Sequence, residues 1–191
     1  HFLYNKHCDD IDWQIECDFL GMMYPGFISA SAARSFDIGH IMNYGDGWYG
    51  GVYMGAMYSL AFISDDVEFI VTEALKTIPA KSKFYRCISD VIATYKANPD
   101  DWRKAWQVCH ERWDSDIACS DGALSSFNID ASINSAYVVI GLLYGKGDFN
   151  GIDQLEKELL ARLFASPVLA VIAPDEGCLN GGGEHHGAGV A

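Results

Sequence analysis

A chain of 191 residues, half of them hydrophobic, is long enough for one sizeable core and short for two. Thirteen basic against 26 acidic residues leave a net charge of −13, a field that repels phosphate backbones and argues against general nucleic-acid binding. It leaves room for one small anion held by local donors, or for a divalent cation.

Six cysteines (Cys8, Cys17, Cys87, Cys109, Cys119 and Cys178) stand apart with no CxxC pair. A zinc site wants paired ligands, and a disulfide scaffold is shorter and denser in cysteine. Reduced thiols in a cytoplasmic protein are the expectation. The longest uncharged apolar run, Trp48 to Ile63, falls short of the roughly 20 residues that span a bilayer, so no membrane partner is expected. No basic segment followed by an apolar one opens the chain. His1 in place of an initiator methionine suggests a piece of something longer.

Asp9, Asp10 and Asp12 precede Trp13. Such carboxylates suit either a hard cation or, more simply, a solvated helix N-terminus favoured by the dipole. Tyr24-Pro25-Gly26 is a turn signal, and Ser29 to Ala33 is small and helix-compatible. Asn43 to Gly47 is a polar, glycine-punctuated turn running into an apolar helix. In that helix Gly47, Gly51, Gly55 and Ser59 recur every fourth residue and share one face. Each helical glycine costs about 1 kcal/mol relative to alanine, so the bare face predicts close approach of another backbone or of a ligand.

Ser64-Asp65-Asp66 reads as an N-cap with acidic first-turn residues, before a helix with Val67, Ile70, Val71, Ala74, Leu75 and Ile78 facing a core, stopped by Pro79. Ser82 caps the next, with Phe84, Cys87, Ile88, Val91, Ile92 and Tyr95 inward. Asn98-Pro99-Asp100-Asp101 ends it and starts a third, whose stripe is Trp102, Trp106, Cys109 and Trp113. Asp114 to Asn128 reads as a loop. Ala131 to Tyr144 is apolar nearly all round; its length favours a buried helix, its β-branched trio a buried strand. Sustained period-two alternation is absent, so the fold class is all-α. Residues 1–150 form the helical domain, and 151–191 a divergent tail with an amphipathic helix over Ile152 to Phe164 and a glycine-rich end. Glu184-His185-His186 in that end is weak evidence for a metal site.

Asn43-Tyr44-Gly45-Asp46-Gly47 with Tyr49-Gly50-Gly51 resembles a signature turn of the ADP-ribosylglycohydrolase family. So does Asn134 to Gly145 followed by Gly147-Asp148-Phe149. Gln14-Ile15-Glu16 to Asp18, Pro25-Gly26 and Ile78-Pro79 occur in the family order, and the likeness spans about residues 8–149. The resemblance implies an orthogonal helical bundle with an ADP-ribose cleft over a pair of magnesium ions. It implies hydrolysis of the N- or O-glycosidic bond joining ADP-ribose to an acceptor, with the metals as template and Lewis acid. Asn43, Tyr44, Gly45, Asp46, Gly47 and Tyr49 would line the cleft. Many relatives have histidine at the position of Asn43. Asparagine can donate and accept hydrogen bonds but cannot serve as an acid or base, and His40 could compensate or be structural. ADP-ribose, or an acceptor carrying it, is the implied partner. Neither family metal motif occurs here: not the early Asp-Asp-Thr kind, nor Gly-x-Asp-x-Asp after Gly147-Asp148-Phe149. The expectation is a family fragment that binds no magnesium and is inactive, with a residual ADP-ribose pocket or a purely structural domain as the alternatives. Loss of a family helix would expose Ala131 to Tyr144, inviting cover by the tail or association with another copy.

Overall fold

The computed structural model describes residues 7–113, 130–146, 148, 150–151 and 154–155, all within a unit spanning residues 1–156. Eight helices have both ends among the described residues, and no strand occurs among these: α1 (Asp12–Glu16), α2 (Asp18–Met23), α3 (Ile28–Gly39), α4 (Gly45–Ala61), α5 (Val67–Leu75), α6 (Lys83–Ala97), α7 (Trp102–Arg112) and α8 (Ala131–Tyr144). The described part of the chain is all-α, and no described helix is long and apolar enough to cross a membrane. The expected loop from Asp114 to Asn128 and the glycine-rich end lie outside the described residues. So does most of the amphipathic segment from Ile152, of which Gln154 and Leu155 are helical.

Local chemistry sets the helix starts. The Asp66 carboxylate accepts the N–H of Phe69, the Ser82 hydroxyl that of Tyr85, and the Asp130 carboxylate those of Ser132 and Ile133. Each satisfies donors that the first turn leaves orphaned, worth about 1 kcal/mol per cap. Asp130 resolves the ambiguity over 131–144: its cap starts a helix, and the β-branched residues are accommodated by packing. Ile133, Ala136, Val139 and Ile140 are fully buried, and α8 packs on α4, α5, α6 and α7. From α6, Phe84, Cys87, Ile88 and Val91 point into the same core.

The hub is α4, which packs on α1, α2, α3, α5, α6 and α8. Its glycine face explains how so many neighbours fit. A Cβ on Gly47 would strike the backbone carbonyls of Cys8 and Asp10, and one on Gly51 would overlap the Trp13 indole. The Ser59 hydroxyl donates to the carbonyl of Tyr24. On the opposing element Gly21 lies against Tyr58 and the backbone of Gly55 and Ser59. Close approach of neighbouring groups is therefore what Gly47 and Gly51 serve: the Cys8–Asp10 backbone at the first and the Trp13 ring at the second. At Tyr24-Pro25-Gly26 the expected turn is present, with Gly26 at φ +75°.

Candidate functional site

The N-termini of α4, α6 and α8 converge on the segment Cys8–Asp10. Asp9 is the tie: its Oδ1 accepts the N–H of Asp46 at 3.2 Å, while its backbone carbonyl accepts the N–H of Ala131 at 3.0 Å. From the first turn of α4, Asp46 Oδ1 accepts the N–H of Phe84 in α6 at 3.1 Å. Lys83, one residue into α6, donates to Asp130 Oδ2 at 2.6 Å and so joins α6 to α8. Helix N-termini carry partial positive charge, so carboxylates belong there.

Beside this node opens a pocket of about 460 Å³, lined by Cys8, Asp9, Gly45, Asp46, Tyr49, Pro79, Lys81 and Ser82. Its size suits a small-molecule ligand. Gly45 adopts φ +56°, a left-handed conformation that glycine takes without strain, and turns the chain across the pocket floor. The two carboxylates are held above the ordinary range. For Asp9 burial is the main cause, with the N–H of Asp46 pulling down and the charge of Asp130 pushing up. For Asp46 burial again dominates, opposed by the N–H of Phe84 and reinforced by the charge of Asp9. Burial works to lower Lys83, but the charge and hydrogen bond of Asp130 outweigh it and keep the ammonium protonated.

Of the seven residues expected in the cleft, Gly45, Asp46 and Tyr49 line this pocket; the other four lie elsewhere. Asn43 is fully buried. Its Oδ1 accepts the N–H of Trp13 at 2.9 Å, and its Nδ2 faces the carbonyls of His7, Cys8 and Asp10 at 3.2–3.3 Å. Gly47 is buried under the Cys8–Asp10 backbone. Tyr44 donates its N–H to Cys8, and its ring lies 5.4 Å from that of His40. His40 is exposed and rests on Trp48, with ring centroids 3.5 Å apart. Asparagine at position 43 thus ties the turn before α4 to α1 through its Oδ1 and to the segment before α1 through its Nδ2.

Sequence reasoning weighed Asp9 only as part of an acidic cluster and did not select Cys8, Pro79, Lys81 or Ser82. Asp12 does open a helix, as that cluster suggested. Asp9 instead reaches forward 37 residues to α4. No periodicity signals such a contact.

A magnesium ion needs several free oxygen ligands in near-octahedral array. Here Asp9 and Asp46 already accept backbone N–H groups, and Asp130 holds the Lys83 ammonium as well as capping α8. Among the described residues no three His, Cys, Asp or Glu side chains gather where they could hold a metal ion. The described residues do not fit the dinuclear centre that the family resemblance implies. The four cysteines among them carry free thiols, and burial pushes Cys17 up to about 12.

Comparison with protein-family models, with curated proteins and with solved structures found no match to this chain.

Proposed function

We propose that this chain is a helical domain of the ADP-ribosylglycohydrolase family that binds an ADP-ribosyl group in the pocket at the start of α4. As the chain stands, it holds that group without cleaving it. The observation that carries the reading is the pocket itself. It opens at Gly45, Asp46 and Tyr49, within the segment whose sequence bears the resemblance.

The lining suits a sugar diphosphate in one orientation. Ribose hydroxyls donate to the carboxylates of Asp9 and Asp46, which accept from donors and repel phosphate. The exposed ammonium of Lys81 answers the diphosphate. Tyr49 offers a ring on which a base can stack. Cleavage in the family depends on the metals as template and Lewis acid, and neither family metal motif occurs in this sequence. Binding, not hydrolysis, is therefore assigned.

A second reading, a purely structural domain, is favoured by one fact: Asn43 and Gly47, central to the resemblance, are consumed by internal packing. Isothermal titration of ADP-ribose into the chain, once with excess magnesium and once with chelator, separates the readings. The proposal predicts saturable binding of equal affinity in both, weakened about fivefold (~1 kcal/mol) by Lys81→Ala, the scale of one exposed charge contact. Binding that needs magnesium would restore the hydrolase reading. No binding in either would leave the structural one.

A further inference from the structure

We propose that Cys87 of α6 and Cys109 of α7 are a dithiol pair, oxidised by a low-molecular-weight disulfide of the glutathione kind to a bond that staples the two helices together. The sequence gives no sign of such a pair, because its six cysteines stand apart. The fold makes these two neighbours.

Residues 98–101 connect α6 to α7. Asp90 of α6 accepts from Trp113 Nε1 at 3.0 Å and from Arg112 at 3.3 Å, and the Arg86 guanidinium lies 5.6 Å over the Trp113 ring. The start of α6 therefore lies beside the end of α7, and the helices run antiparallel. That register sets Cys87 and Val91 against Cys109 and Ala105, each couple one turn apart on its own helix, and all four are fully buried. Small residues at facing positions let helices approach closely. The two thiols share a hydrogen bond, and Cys87 Sγ also donates to the carbonyl of Ser132 in α8 at 3.8 Å. A disulfide requires side chains that already point at one another, and the shared hydrogen bond meets that condition.

The exchange runs in two steps. A thiolate of the pair attacks one sulfur of glutathione disulfide, forming a mixed disulfide and releasing one glutathione. The second protein thiol gives up its proton and attacks the protein sulfur of that mixed disulfide, releasing the other glutathione. The Cys87–Cys109 bond forms, the glutathione disulfide bond breaks, and two electrons and two protons end on glutathione. In the folded chain the reaction is slow, because the thiolate is the nucleophile. The hydrogen bond with Cys109, and then burial, push the Cys87 thiol up. Oxidation therefore proceeds through local opening of α7 or during folding, and the closed product is shielded from reductant.

Peptide mapping of the full chain tests this. The protein is held in a glutathione buffer rich in the disulfide form, once folded and once while refolding from urea, then quenched with acid and alkylated. Trypsin cuts after Arg86, Lys96, Lys104 and Arg112, so the two cysteines fall on separate peptides, 87–96 and 105–112. The expected result is those peptides joined, and released by dithiothreitol. The stapled chain should melt about 8 °C higher than the same sample reduced, from closing a loop of roughly 20 residues in the unfolded state. Cys109→Ala should abolish the cross-link, and Cys178→Ser should leave it. Both peptides alkylated in both arms would overturn the proposal. So would Cys87 joined to a different cysteine, or a stapled chain that melts below the reduced one.

Discussion

Asn43→Ala would take a hydrogen bond from four backbone groups; the carbonyls of His7 and Cys8 keep the N–H groups of Asp10 and Tyr44, while the N–H of Trp13 and the carbonyl of Asp10 lose their side-chain partner. Orphaned buried polar groups cost about 1–3 kcal/mol each, and partial relaxation should leave a net loss of about 3 kcal/mol in a urea melt. Asn43→Asp should fail almost as badly, because a carboxylate cannot donate to three carbonyls. The Asp9 and Asp46 carboxylates make a separate claim. Both are raised above the ordinary aspartate value, chiefly by burial. A carboxyl raised on folding stabilises the fold while protonated, and that contribution is lost as pH rises through the folded-state value. At neutral pH the ionised pair therefore weighs against the fold. Asp9→Asn keeps an acceptor for the Asp46 N–H, so it should raise the melting temperature at pH 7. The difference should vanish below about pH 4, and a thermal melt series across that range reads it directly. A variant less stable than the parent at pH 7 would show that the charge itself is needed at the helix N-termini.

Among elements, α4 separates glycines required by packing from those that merely share its spacing. Gly51→Ala drives a methyl into the Trp13 ring and Gly47→Ala one into carbonyl oxygens, so each should cost about 1–3 kcal/mol. At Gly55 a Cβ meets the Ser31 hydroxyl at 3.4 Å, the Cys17 carbonyl at 3.6 Å and Leu20 Cβ at 3.9 Å, ordinary contacts. Gly55→Ala should therefore be neutral, or stabilising by up to the ~1 kcal/mol difference in helix propensity. Chemical denaturation of the three variants gives the order. The spacing of Gly47, Gly51, Gly55 and Ser59 was legible in the sequence, as were the cap at Ser82 and the inward faces of α5 and α6, because all of these depend on residues within one or two turns; the expected cap with acidic first-turn residues at Ser64-Asp65-Asp66 is corrected to Asp66, which itself caps α5. The helix over 131–144 was legible by length alone; its cap, Asp130, resolves the competing strand reading. What stayed hidden is the meeting of three helix N-termini around Asp9. It depends on a hydrogen bond across 37 residues and an ion pair across 47. The same convergence put Lys81 and Ser82 beside Gly45 and Asp46, and sent Asn43 inward.

For the whole molecule, residues 1–156 form a unit whose chemistry gathers at one node. A chain of net charge −13 that takes an anionic ligand must do so through local donors. Among the lining residues described, Lys81 is the cation available for that role. The measurement that tests this most directly is amide chemical-shift mapping during an ADP-ribose titration with chelator present. The account predicts saturable shifts concentrated at Cys8, Asp9, Gly45, Asp46, Tyr49, Lys81 and Ser82. A spectrum that does not move, or shifts that cluster away from the start of α4, would contradict it.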